Sequence, residues 1–165
     1  MSSHWADINA DKIVREKGEK DRYTCASGIT PSGTVHVGNF REIISVDLVV
    51  RALREKGHEV RFLYSWDDYD VFRKVPATVT DRERFEEYLR WPITLVPDPE
   101  ETYESFARAN EAELEGQLER VGITPEYIYQ ATQYRASTYA RGIRTALEKR
   151  DRIREILNRF RTSPL

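Results

Sequence analysis

The stretch "SGITPSGTVHVGNFREI", Ser27–Ile43, decides how this chain is read. It gathers Gly28, Gly33 and Gly38, small hydroxyl residues, Pro31, one histidine (His36) and one asparagine (Asn39). Directly after them comes a helical pattern of apolar residues: Phe40, Ile43, Ile44, Val46, Leu48, Val49, Ala52 and Leu53. Before them, "RYTCASG" (22–28) is a short run closed by glycine and reads as a strand. A strand running through a small-residue loop into a helix builds an anion site. The first helical N–H groups have no partner, and the helix dipole adds partial positive charge. The glycines allow backbone and ligand to approach closely. His36 and Asn39 are three apart, so both side chains face one side of the first turn and can donate toward one phosphate. The stretch matches neither a lysine-bearing phosphate loop nor the dinucleotide fingerprint.

Outward from this centre, Trp5 to Glu16 has loose helical spacing and ends at Gly18, with Trp5 expected in the core. The helix opening near Val37 stops at "EKGHE", where Gly57 suits a C-terminal cap. "EVRFLYSW" (59–66) is a second strand and "DDYD" the loop after it. A short helix is expected from Asp81 to Leu89, a helix from Glu100 to Val121, a strand at "EYIYQ", and one long charged helix from Tyr134 to Phe160. Strand, glycine-rich loop, helix, strand is the start of an α/β fold.

The totals fit one ordinary domain: 165 residues, 39% hydrophobic, with three Trp, six Phe and nine Tyr for a core. The formal net charge of −2 argues against a chain that coats nucleic acid generally. The one cysteine, Cys25, excludes an internal disulfide and a multi-cysteine zinc site. No apolar run approaches the roughly 18 residues of a membrane span, and the polar start "MSSHWADINADKIV" is unlike a signal peptide, so a cytoplasmic protein is expected.

"SWDDYD" sets Asp67, Asp68 and Asp70 at the end of the second strand. Ligands of open α/β sheets bind beyond the carboxyl ends of strands, and carboxylates there suit an ammonium group. An exposed acidic turn or a divalent-ion site is the alternative. Arg73 and Lys74 of "FRKVP" follow at once. They suit phosphate or RNA backbone, although a solvated basic pair is the plainer expectation. "RDRIREILNRFR" is expected to be a solvated charged helix, with an RNA contact as the alternative.

"PSGTVHVGN" resembles the HIGH signature of class I aminoacyl-tRNA synthetases, with His36-Val37-Gly38-Asn39 in its place and asparagine for the last histidine. With "HWAD", "SWDDYDVFRKVP" and "EKRDRIREILNRFR", the whole chain resembles the N-terminal part of class I lysyl-tRNA synthetases. The resemblance implies a Rossmann-like nucleotide-binding fold, the first half of a catalytic domain, with about 134–165 leading into the connective insertion. It implies that lysine and ATP, the latter with Mg²⁺ as counter-ion, form lysyl-adenylate and that the lysyl group passes to tRNA(Lys). His36 and Asn39 are the implied catalytic donors. ATP is implied at Pro31, Ser32, Gly33, His36, Gly38 and Asn39, and the amino acid at Gly28, Thr30 and Asp67. Asp67 is placed on the α-amino group by likeness to the acidic segment of glutamyl-tRNA synthetases. Glu42, one turn after His36, is a further candidate for lysine selection, with an exposed helix glutamate as the alternative. Some members of the family place Cys and His in the segment matching "DPEETYESFARA"; Thr102, Tyr103 and Ala109 stand here, so no protein-bound metal is expected.

The family's second signature, KMSKS, does not occur in these residues. Little or no aminoacylation by this chain alone is therefore expected, together with an unpaired sheet edge, an uncovered apolar face, and either self-association or a complementary C-terminal half. Two other functions compete: a stand-alone adenylate-forming or nucleotide-binding paralogue, and a non-catalytic interaction module.

Overall fold

The computed structural model describes residues 4–163. One compact unit reaches to Ala131 and a second begins at Thr132.

The first unit opens with α1 (Trp5–Lys17), started by His4, whose Nδ1 accepts from the Ala6 amide at 3.3 Å, and stopped at Gly18 with φ 71°. Then come β1 (Tyr23–Ile29), α2 (Val37–Glu55) and β2 (Val60–Trp66). A short α3 (Arg82–Glu86), capped by Asp81, precedes α4 (Phe106–Arg120) and β3 (Glu126–Tyr129). The strands form one parallel sheet in the order β1-β2-β3. Parallel strands joined through helices are the Rossmann-like α/β arrangement.

Register decides which face is covered. Tyr23, Cys25, Ser27 and Ile29 lie beside Val60, Phe62, Tyr64 and Trp66, and Tyr127 and Tyr129 continue the row. This face carries the main core, with Ile43, Val50 and Leu53 of α2, Ala6 and Ala10 of α1, and Leu114 and Leu118 of α4. Fully burying a side chain of this size contributes about 1.5–3 kcal/mol. The opposite face holds Thr24, Ala26 and Gly28, then Arg61, Leu63 and Ser65, then Glu126 and Ile128, none of them buried. It is mixed rather than apolar as expected, because Arg61 and Glu126 pair across it, Nε to Oε2 at 2.7 Å. A second core of Phe72, Val75, Val79, Phe85, Ile93, Val96, Phe106 and Ala107 packs the long connection between β2 and α4.

Three expectations are corrected. Trp5 is 43% exposed, against His4 rather than in the core. Helix α4 begins at Phe106, not Glu100, because the buried Asp98 carboxylate collects the amides of Glu100 (3.2 Å), Thr102 (2.9 Å) and Tyr103 (3.0 Å) and winds them into a turn; Ser105 is the true N-cap. The long helix from Tyr134 is broken into α5 (Gln130–Arg135), α6 (Ala140–Glu148) and α7 (Arg150–Asn158). After α5, Ser137 turns left-handed (φ 58°), while Thr138 N–H bonds the Gln133 carbonyl and Ser137 N–H the Tyr134 carbonyl, each at 3.0 Å. This is a Schellman-type stop. Helices α6 and α7 bury no residue, and α7 carries the ion pairs Arg152–Glu155, Arg154–Asp151 and Arg159–Glu155. Among the described residues no helix is long and apolar enough to cross a membrane.

Candidate active site

The Ser27–Ile43 stretch folds as strand end, loop and helix start. His36 is the N-cap of α2, and its Nδ1 accepts from the Gly38 amide at 3.1 Å. Asn39 Oδ1 in turn accepts from the His36 amide at 3.4 Å, completing a reciprocal capping box. The two side chains therefore act first on their own helix. With Nδ1 accepting, a neutral ring carries its proton on Nε2, and Asn39 retains its Nδ2 hydrogens. Donors thus remain on both, beside a helix end where the Val37 amide has no internal partner among the described residues. A Cβ added at Gly38 would stand 2.8 Å from His36 Cε1, so the exposed ring would have to move off the Gly38 amide. His36 and Gly38 are exposed and Asn39 half-buried.

Upstream in the loop, Pro31 is buried, Ser32 exposed and Gly33 half-buried. Thr30 Oγ1 donates to Asp70 Oδ2 at 3.1 Å, joining the ends of β1 and β2. Gly28 has a steric cause: a Cβ there would lie 2.4 Å from the Ser65 carbonyl oxygen. Its amide donates to Glu42 Oε1 at 3.4 Å, so two of the residues expected on the amino acid meet each other. Asp67 continues the ladder, its amide on the Ile29 carbonyl at 2.9 Å, and its Oδ1 accepts from Ser65 Oγ at 3.2 Å. The structure thus gathers Gly28, Glu42, Ser65 and Asp67 at the carboxyl ends of β1 and β2, with Thr30 and Asp70 joined beside them.

The three aspartates separate into different roles. Asp68 is buried, and its Oδ1 accepts from the Ala131 amide at 2.7 Å, so it caps α5. Asp67 is exposed and Asp70 half-buried. Sequence reasoning did not find Gln130, whose Nε2 donates to Ser65 Oγ at 2.7 Å and so supports Asp67 from β3's end. Nor did it find the cluster behind Trp66. Glu115 accepts from Trp66 Nε1 (3.0 Å), Tyr129 Oη (2.9 Å) and Arg108, and Arg108 also bonds Glu111 at 3.1 Å. Burial, with Asp68 adding to it and Arg108 pulling the other way, pushes the Glu111 carboxyl up to about 7; its Oε1 is buried without a hydrogen bond. Burial and Glu115 push Tyr129 up to about 12. Among the described residues no group of three or more His, Cys, Asp and Glu is placed to hold a metal ion.

A parallel α/β sheet whose β1 feeds a capped, glycine-bearing helix start is the framework of class I synthetases. The chain belongs to that family: the family model described as tRNA synthetases class I (K) matches residues 3–165. It is similar to the lysine–tRNA ligase of Treponema pallidum, 59% identical over 160 residues, covering 97% of this chain and 30% of that protein. It is also similar to the lysine–tRNA ligases of Borreliella burgdorferi, at 57% over 99% of this chain and 32% of that protein, and of Pyrococcus horikoshii, at 51% over 96% and 30%. The chain therefore spans about a third of the length of these relatives.

Proposed function

We propose that this chain is the N-terminal catalytic portion of a lysine–tRNA ligase, which joins lysine to ATP as lysyl-adenylate and passes the lysyl group to tRNA(Lys). The observation that carries the reading is the capping box of His36 and Asn39. It fixes both side chains at the α2 N-terminus with donors to spare, where a phosphate is favoured by the helix end itself. The likeness to lysine–tRNA ligases, more than half identical to this chain across the aligned residues, supports lysine as the amino acid.

The lysine carboxylate is already ionised, so attack on the α-phosphate needs no general base. The protein's work is positioning and stabilising charge on phosphate oxygens. In this reading His36 Nε2 and Asn39 Nδ2 donate to the phosphate oxygens, Pro31, Ser32, Gly33 and Gly38 shape the nucleotide cradle, and Mg²⁺ arrives with the nucleotide. Asp67, Thr30 and Gly28 hold the amino-acid end, and Glu42 faces the side-chain ammonium. Residues 1–165 form the first part of the catalytic domain, with about 134–165 leading to the insertion. The sheet face bearing Ala26, Leu63 and Ile128 receives the complementary C-terminal half or a second copy, and the protein works in the cytoplasm.

The test is amino-acid-dependent ATP–pyrophosphate exchange, run on this chain and on the chain joined to the remaining portion of the Treponema pallidum relative. Exchange with lysine by the joined protein, and little by the chain alone, is expected. Exchange driven by another amino acid overturns the reading.

A further inference from the structure

The basic pair Arg73 and Lys74 is exposed, as a solvated pair is, the Arg73 side chain 80% so, but its backbone is held in place. The Phe72 amide bonds the Trp91 carbonyl at 2.8 Å, the Arg90 amide bonds the Phe72 carbonyl at 2.8 Å, and the Ile93 amide bonds the Asp70 carbonyl at 2.9 Å. Phe72 is buried, edge-on to Phe106 with centroids 5.5 Å apart, and Val75 is buried too. The two cations therefore leave a backbone anchored on both sides.

The same segment runs alongside the loop that precedes α2. At one end Thr30 Oγ1 holds Asp70. At the other, a methyl group added to Gly33 would stand 3.9 Å from Pro76 Cγ. Between these anchors lies a cavity of about 320 Å³, lined by Thr30, Ser32, Asp70, Val71, Phe72, Arg73 and Lys74. Asp70 is occupied by the Thr30 hydroxyl and by Arg73 at 3.7 Å, a contact loose enough for the guanidinium to leave. Lys74 has no carboxylate within ion-pair distance among the described residues. One uncompensated ammonium, a movable guanidinium and the Ser32 hydroxyl on a preformed cavity suit a phosphate group.

We propose that this cavity is a second phosphate subsite beside the α2 N-terminus, with Lys74 and Arg73 as its binding residues. It deepens the functional reading above and rests on it for the source of the phosphate: the distal phosphates of the nucleotide, or the terminal phosphodiesters of the RNA 3′ end.

Calorimetry on this chain tests it with tripolyphosphate and the trinucleotide CpCpA as probes. At least one probe is expected to bind. Lys74→Ala and Arg73→Ala are each expected to weaken that probe about three- to tenfold, as loss of a charge-assisted contact does. Lys74→Arg is expected to keep the affinity. Asp70→Asn is expected to tighten it several-fold, since it removes a nearby like charge, an effect no purely structural role gives. Tripolyphosphate responding assigns the subsite to the nucleotide, and CpCpA responding assigns it to RNA. Binding of neither probe, binding indifferent to both alanine variants, or weaker binding in Asp70→Asn overturns the proposal. His36→Ala run in parallel separates the two readings: if it alone abolishes tripolyphosphate binding, the α2 cradle stands and this subsite falls.

Discussion

Gly38 shows how a single missing methyl shapes the site. Its Cβ would meet the His36 ring at 2.8 and 2.9 Å, so Gly38→Ala pushes the imidazole off the Gly38 amide. Losing the cap costs about 0.5–2 kcal/mol, and replacing glycine by alanine in a helix returns about 1 kcal/mol. Gly38→Ala is therefore expected to leave the thermal midpoint within a few degrees, by circular dichroism, while weakening ATP binding about tenfold or more. Glu111 gives a pH signature. Its carboxyl is raised to about 7 in the folded chain, mainly by burial, from an ordinary value near 4.5. The native state then holds a proton that the unfolded state has released, so stability is full below about pH 4.5 and falls as pH rises through 7. Glu111→Gln is expected to remove that slope, stabilising the chain by roughly 3 kcal/mol at pH 8 and by little at pH 5, as read by urea melts. His36 and Asn39 can be proposed from sequence because spacing at a helix start is local, and Asp67 because it ends a strand and matches the acidic segment of glutamyl-tRNA synthetases. The sequence hid Gln130 and the Asp70 partner of Thr30, since these meet Ser65 and Thr30 across 65 and 40 residues.

Elements were legible where their caps were local and strong. Glycine at Gly18 and Gly57 and apolar periodicity placed α1 and α2, and β1 and β2 fell within a residue of the expected runs. The start of α4 was misread because Asp98 acts over five residues, drawing the Glu100–Tyr103 segment out of helix into a turn, with Glu101 at φ 53°. Asp98→Ala strands three amides and is expected to cost about 2–3 kcal/mol in urea unfolding, with Asp98→Asn milder because one acceptor oxygen survives. The break after α5 was missed for the opposite reason: a serine stands where a left-handed stop usually has glycine. Ser137→Gly is expected to relieve that conformation and stabilise the stop by about 0.5–1 kcal/mol, visible as a higher thermal midpoint for helix loss.

Among the described residues of the first unit, the main core lies on one face of the sheet, and β1 pairs with β2 alone. Its open face mixes Ala26, Leu63 and Ile128 with the Arg61–Glu126 pair, so contact there is expected to be salt-sensitive rather than a plain apolar collapse. Sedimentation velocity of this chain is expected to show association that rises with concentration and shifts with ionic strength. The carboxyl ends of β1 and β2 converge on the turn before α2, and the whole account depends on that turn receiving a nucleotide's phosphates. The most direct measurement is an amide NMR titration of this chain with ATP. The account predicts shifts concentrated at Gly33, Val37 and Gly38, lost when His36 and Asn39 are both replaced by alanine. Shifts confined to other surfaces, or the same shifts in the double variant, would contradict it.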